Sequence, residues 1–324
     1  MEEKRRLVIK FLYFTDGHLR GTNPKNRIGD FTQDILDKNQ EVCDLSKKYK
    51  CDCLISGGDN FDSPFVSLAV ADEFVDIFEE NGLPVYSVQG NHTLIGHNVD
   101  LSKASIMYHI FRRSNTFNRL NKQNLLEDDS CVIEGYDYNH NIDEEILENG
   151  FYCSKKTDKL KIGVPHALIT PKKLPFSAKH VPVKEFKTDF DYILVSHNHQ
   201  DFGVIKKDKT TFISIGALAR KTVSKNDVTR VPKVIFFDTD KNEYEIIKLK
   251  CARPVEEIFD LEKIKEAKEQ ETNLNDFIDS LQDIGLEELD LLGLIKDIGT
   301  KLDGDNEKVV DEIIDRLSKT KEKL

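Results

Sequence analysis

"LVIKFLYFTDGHLR" occupies residues 7–20. An apolar run broken only by Lys10 ends at Phe14, and Asp16 and His18 follow within four residues. A short apolar run that stops at polar residues reads as a buried strand. Whatever follows it sits at the strand's C-terminal end. The same arrangement returns downstream. "CDCLIS" (51–56) precedes "GGDNFD" with Asp59, and "LPVYSVQ" (83–89) precedes Gly90-Asn91-His92. "LKIGVP" (160–165) precedes His166, and "FDYILVS" (190–196) precedes His197 and His199. Between the first three strands lie residues 29–49 and 67–82, whose apolar positions recur at roughly helical spacing; Gly82 closes the second. Strand, helix, strand, helix, strand implies right-handed crossovers and a mainly parallel or mixed sheet. Residues 131–136, 210–216, 232–239 and 243–249 read as further strands, the last pair joined by a hairpin at "DTDKNE". The order predicts an α/β fold, a two-sheet β-sandwich flanked by helices, with a C-terminal helical extension.

The chain has 324 residues, enough for one large domain and a smaller one. Residues 254–324 carry 10 Lys and Arg against 21 Asp and Glu, so the whole net charge of −11 resides there and residues 1–253 are neutral. Four short amphipathic helices are expected after Pro254, which places a domain boundary near 253–256: residues 1–253 form the catalytic-looking domain and 254–324 an acidic helical one. An acidic tail argues against tail contact with a polyanion and leaves the neutral part free to make one. The six cysteines contain no Cys-x-x-Cys pair, which is the usage of reduced thiols in a cytoplasmic protein. No stretch is long enough to span a membrane.

Polar, metal-capable residues thus follow five strands, and strand C-termini in α/β sheets face one crevice. Asp, His and Asn together form a mixed oxygen and nitrogen donor set, suited to Mn²⁺, Fe²⁺ or Zn²⁺ rather than Ca²⁺ or Mg²⁺. Cysteine is absent from it, which argues against a structural zinc site. Seven ligands suit two ions, and two ions about 3.5–4 Å apart can clamp a phosphoryl group.

The ordered set Asp16-x-His18, Gly58-Asp59, Gly90-Asn91-His92, His166 and His197-x-His199 resembles the calcineurin-like metallophosphoesterase superfamily. The resemblance implies that Asp16, His18 and His199 hold one metal, that Asn91, His166 and His197 hold the other, and that Asp59 bridges them. It implies His92 as the general acid that protonates the leaving oxygen, and two divalent ions, Mn²⁺ foremost, as cofactors. Protein phosphatases of the group carry Arg-Gly after the second acidic block and Glu after Gly-Asn-His; "GGDNFDSPF" and "GNHTL" lack both marks. With "FISIGALAR" (212–220), these segments resemble SbcD-type DNA repair nucleases, especially short phage-type forms. That implies a DNA nuclease acting in the cytoplasm, that of the host where it is phage-encoded. By analogy it forms a homodimer and docks an SbcC-type ATPase through its C-terminal helices. Cellular forms often have His at the position of Asp62, a residue that helps place the phosphate, and Gly at that of Ser196.

The loop "LRGTNPKNRIGD" (19–30) sets Arg20, Lys25 and Arg27 beside the expected site. They are candidates to grip a nucleic-acid backbone, with Asp62 and Arg220 as further substrate-binding candidates, and are weighed equally against an ordinary solvated loop. Arg220-Lys221 is treated the same way. His97, His109, His140 and His180 match no block and are expected to be structural or superficial. The competing function is a stand-alone phosphodiesterase or phosphatase acting on a small nucleotide or phosphoester. A third reading, a binding module without catalysis, is disfavoured by the complete ligand set and His92.

Overall fold

The computed structural model describes residues 8–260 apart from 26, 96–98, 175–178 and 223, together with 262 and 265. The chain divides into two units, Met1–Asp260 and Leu261–Leu324. His97 and the helices expected from residue 266 onward fall outside the described residues.

In chain order the elements are β1 (Lys10–Phe14), α1 (Phe31–Lys48), β2 (Cys53–Ser56), α2 (Leu68–Asn81), β3 (Val85–Ser87), α3 (Ile106–Arg113) and β4 (Phe117–Arg119). There follow β5 (Leu126–Glu127), β6 (Cys131–Tyr136), α4 (Ile142–Asn149), β7 (Leu160–Pro165), β8 (Ile169–Thr170) and β9 (Val181–Pro182). The last are β10 (Tyr192–Leu194), β11 (Gly203–Lys207), β12 (Thr210–Ser214), α5 (Lys225–Thr229), β13 (Lys233–Asp238), β14 (Glu243–Lys248) and α6 (Val255–Ile258). One sheet has the order β14-β13-β1-β2-β3-β4 and the other β11-β12-β10-β7-β6-β5; β8 and β9 form a small separate ladder. Strands β1 to β4 run parallel, as do β6, β7, β10 and β12. The later strands β13 and β14 return antiparallel along the first sheet as the expected hairpin.

Period-two alternation explains the layering. Phe11 and Tyr13 of β1 face the second sheet, in a core with Ile55, Ile133, Ile162, Leu194, Ile213 and Phe237. Leu12 and Phe14 face the other way, against Ile35, Val42, Phe74 and Phe78 of α1 and α2. Phe11 stacks on Phe237 with centroids 5.3 Å apart; each such buried ring contributes about 1.5–3 kcal/mol by area alone. Tyr13 crosses between sheets, its hydroxyl donating to the Val195 carbonyl at 3.0 Å. On the far side of the second sheet, Ile142 and Ile146 of α4 pack with Phe151, Phe190, Ile193 and Phe212.

Helix ends match the sequence signals. Asp30 caps α1 by accepting from Gln33 N, Ser67 caps α2 by accepting from Val70 N, and Gly82 ends α2 in the left-handed region at φ 78°. Helix α6 stops at Phe259, which is extended and bridges Arg27, while Ile28 N donates to the Ile258 carbonyl. Residues Val255–Phe259 therefore belong to the first unit.

Candidate metal centre

The loops that leave β1, β2, β3, β7 and β10 meet at one end of the sandwich. Their backbones brace one another. Asp16 N donates to the Gly58 carbonyl, His18 N to that of Asp59 and Leu19 N to that of Asn60, so the first two loops continue the parallel pairing beyond their strands. The "GALAR" segment adds Leu218 N to the Thr15 carbonyl and Ala219 N to that of Asp16. Asp16, His18, Asp59 and His197 take positive φ, between 47° and 64°. That region is sparsely populated by residues other than glycine. The strain turns four side chains out of the strand direction and into the crevice.

Three donor groups result among the described residues: Asp16 with His18 and His199, Asp59 with His166 and His197, and, overlapping the first through His18, His18 with Asp62 and His92. In the first, His18 Nε2 and His199 Nε2 are 2.9 Å apart, and Asp16 Oδ1 lies 3.8 and 3.7 Å from them. The centre of a triangle with these edges is about 2.0 Å from each corner, the length of a bond from a divalent ion to imidazole or carboxylate. In the second, His166 Nε2 lies 3.3 Å from Asp59 Oδ2 and 3.1 Å from Asn91 Oδ1.

The hydrogen bonds leave these atoms facing one another without donors. Asp16 Oδ2 accepts from Thr15 Oγ1 and His197 N, yet its buried Oδ1 has no partner. Asp59 Oδ1 accepts from His92 N, yet its buried Oδ2 has none. His166 Nδ1 donates to the Gly57 carbonyl at 2.7 Å and His18 Nδ1 to Asp62 Oδ1 at 3.1 Å, which turns both Nε2 lone pairs inward. Orphaned buried oxygens opposed to imidazole lone pairs are costly unless a cation lies between them. The residues fit a pair of divalent ions.

The protonation pattern agrees at His197, His199 and Asp59 and differs at His166. Burial pulls the His166 imidazole down, but Asp59 outweighs it and raises the group to about 9. Burial and then His166 push His197 down to about 3. Burial and then His18 hold His199 well below the ordinary range. Burial works against ionisation of Asp59, and His166 and His18 outweigh it, holding that carboxyl far below the usual range. Neutral imidazoles such as His197 and His199, beside the ionised Asp59 carboxylate, are the forms that bind metal, and at His166 an ion would take the place of the proton that Asp59 holds there. His92 stands over the first group, its ring 4.5 Å from that of His18 and edge-on to it, with Nδ1 donating to the Asp62 carbonyl at 3.0 Å.

The remaining candidates read from the sequence separate. Arg20 reaches the site, NH1 donating to Asp62 Oδ2 at 2.9 Å. Lys25 is exposed on its loop. Arg27 is a correction: it is buried, pairs with Asp34 at 2.9 Å and lies over the rings of Phe31 and Phe259, so it is not available to a substrate backbone. Arg220 is a second: it is 3 % exposed, and NH2 donates to the Arg253 carbonyl. Asp62 is a third. Its carboxylate collects His18, Arg20 and Lys221, and so cannot itself grip an anion. Burial works to raise that carboxyl, but the bonds from His18 and Lys221 outweigh it and hold it well below the usual range. Lys221, not Arg220, is the site cation of that dipeptide, with Nζ 2.6 Å from Asp62 Oδ1. No sequence signal separated the two. Ser196 is fully buried and donates from Oγ to the Pro165 carbonyl, in the space left by Gly57, where an added Cβ would stand 2.8 Å from Ser196 Cβ.

With this fold and this donor set, the class is a metallophosphoesterase-type phosphoester hydrolase. The calcineurin-like phosphoesterase family matches residues 9–201, and the chain belongs to that family. No curated protein matches the chain. Among solved structures it is similar to a dimetal phosphatase from Danio rerio, at 9 % identity and a TM-score of 0.46, covering 74 % of this chain and 99 % of that one. It is also similar to a protein of Thermus thermophilus, at 10 % identity and a TM-score of 0.44, covering 75 % and 99 %.

Proposed function

We propose that the chain is a divalent-metal-dependent DNA nuclease that hydrolyses phosphodiester bonds, with Mn²⁺ as the ion and an SbcC-type ATPase as partner of the acidic C-terminal region. The observation that carries the hydrolytic core is the pair of orphaned oxygens, Asp16 Oδ1 and Asp59 Oδ2, each opposed to imidazole nitrogens. Asp16, His18 and His199 would hold one ion, Asn91, His166 and His197 the other, with Asp59 shared. Bound there, such ions neutralise phosphoryl charge and activate water.

The chain's own groups do the rest. Asp62 fixes the His18 tautomer through Nδ1, and Gly57 does so for His166, which keeps each Nε2 lone pair facing inward. The Asp62 carbonyl holds His92 Nδ1–H, which leaves Nε2 to carry the proton given to the departing oxygen. The choice of DNA is supported by "GGDNFD" and "GALAR" together with the missing phosphatase marks. A second reading, hydrolysis of a small phosphoester, is favoured by the burial of Arg27 and Arg220, which reduces the cationic path a long backbone could follow.

The test is an activity matrix of Mn²⁺, Mg²⁺ and Zn²⁺ against linear duplex DNA, single-stranded DNA and small phosphodiesters, with His92→Gln as control. Cleavage of DNA with Mn²⁺, reduced about 10²–10⁴-fold in the variant, supports the nuclease. Cleavage of a small ester with every DNA form intact supports the second reading.

A further inference from the structure

We infer that Arg20 and Lys221, braced by Asp62, form a subsite for the phosphate next to the scissile one, which makes a chain of consecutive phosphodiesters the preferred substrate class. The inference rests on the phosphodiesterase reading above and deepens it.

Asp62 is the hub. Its Oδ2 accepts from Arg20 NH1 at 2.9 Å and its Oδ1 from Lys221 Nζ at 2.6 Å, so one carboxylate carries a cation on each oxygen. Two cations on one anion leave a net positive charge at that point. Both retain capacity for a ligand. A lysine ammonium has three donors, and Asp62 takes one. Arg20 is 36 % exposed in its side chain and Lys221 16 %, so the pair is open to solvent at one side and anchored at the other. Thr22 Oγ1 accepts from Arg20 Nε and NH2 at 3.2 and 3.0 Å, which fixes the plane of the guanidinium.

Position relative to the metal centre decides which phosphate they meet. Lys221 Nζ is 3.2 Å from His18 Nδ1, whereas the metal-facing atom of that ring is Nε2, 2.9 Å from His199 Nε2. The width of the His18 imidazole therefore separates the cation pair from the donors that would hold the ions. A phosphoryl group held by ions at Asp16, Asp59 and their partners would sit across the His18 ring from Lys221. An anion one step along a polymer can meet Lys221. A lone monoester or an isolated diester offers no such second anion, whereas every internal linkage of a nucleic acid strand does. The placement also accounts for a carboxylate at 62: with His there, nothing would hold the two like charges at one point.

The test uses the full chain with Mn²⁺ and two substrates, a thymidine dinucleotide with one phosphodiester and a trinucleotide with two. Wild type is expected to favour the trinucleotide in kcat/KM by about 10-fold or more, the effect of one charge-assisted contact. In Arg20→Gln and Lys221→Gln that preference falls towards unity. Lys221→Arg retains the preference. Because Lys221 also neighbours His18, Mn²⁺ affinity is measured by calorimetry in each variant. Equal losses on both substrates with weakened Mn²⁺ binding would show that Lys221 acts on His18 and overturn the subsite. A wild type that cleaves both substrates equally well overturns it too, while leaving phosphodiester hydrolysis standing. If wild type cleaves neither, the phosphodiesterase reading itself falls. The anisotropy of a fluorescein-labelled thymidine 12-mer then decides the subsite alone: a salt slope unchanged in both variants refutes it, and a shallower one supports it.

Discussion

Gly90 lies between β3 and Asn91, packed against Asp59 with no room for a side chain. A Cβ added there would stand 2.5 Å from Asp59 Cγ and 2.7 Å from Asp59 N, and closer still to Oδ1. Ordinary contact begins near 3.4 Å, so Gly90→Ala must push the Asp59 carboxylate or the loop aside by about 1 Å. The carboxylate has little freedom to yield, because Oδ1 is held by His92 N at 2.9 Å and Oδ2 faces His166 Nε2 at 3.3 Å. A misplacement of that size at a catalytic constellation costs on the order of 10²-fold, which is about 2.7 kcal/mol of transition-state stabilisation. Overpacking adds about 1–3 kcal/mol of lost stability. The assay is kcat/KM on a phosphodiester with Mn²⁺, alongside metal titration by calorimetry and urea unfolding. Gly90→Ala should weaken both metal sites, which share Asp59, and slow turnover together, because Asp59 and His92 are joined through this loop. A variant that binds both ions with wild-type affinity and turns over within about 3-fold of wild type would refute the assignment of Asp59 to the metals.

Three further outcomes are expected. Adding Mn²⁺ to metal-stripped protein should stabilise it by about 2.7 kcal/mol at a hundred times Kd, raising Tm by about 5 °C or more, and Asp16→Asn should reduce the shift; a scan with no metal-dependent shift would count against the centre. Asp34→Ala should cost about 3–5 kcal/mol in urea unfolding by leaving buried Lys38 and Arg27 without their shared carboxylate, and Asp34→Asn combined with Lys38→Met should cost less. Burial raises the Asp143 carboxyl from 3.8 to about 6, although Leu168 N donates to it. The folded state therefore binds the proton more tightly, and stability falls as pH rises from 4 to 6, by at most ~3 kcal/mol. Asp143→Asn should be more stable than wild type at pH 7.5, with the gap closing towards pH 4; a gap independent of pH would refute this.

Much of the fold was legible because the strands at its centre are buried on both faces and read as apolar runs, and because each ends where a polar residue must face the crevice. Residues 131–136 coincide with β6, and the strands expected at 51–56 and 232–239 contain β2 and β13. The elements missed were short or exposed. Strands β5, β8 and β9 have two residues each, too few for alternation to register, and β11 is a half-exposed edge with two lysines. The gathering of metal-capable residues followed from counting strand ends. The arginines did not follow, because whether a guanidinium meets solvent or a buried carboxylate depends on a partner elsewhere in the chain. Arg27 is claimed by Asp34 across a loop and a helix turn, and Arg220 by the Arg253 carbonyl. Adjacent Lys221 is left to Asp62 by the geometry of a single peptide unit.

The left-handed backbone at Asp16, His18, Asp59 and His197 governs how this centre can be dissected and how it can change. Alanine at these positions removes a donor and also places a residue ill-suited to that conformation, so an alanine scan mixes loss of chemistry with loss of loop shape. Asparagine tolerates positive φ better than most residues, and so it separates the two at Asp16 and Asp59. Valine, isoleucine and threonine are excluded there on backbone grounds alone. The sequence paths open to a neutral drift away from catalysis therefore run through glycine and asparagine first, which would preserve the loops as an intact but silent scaffold.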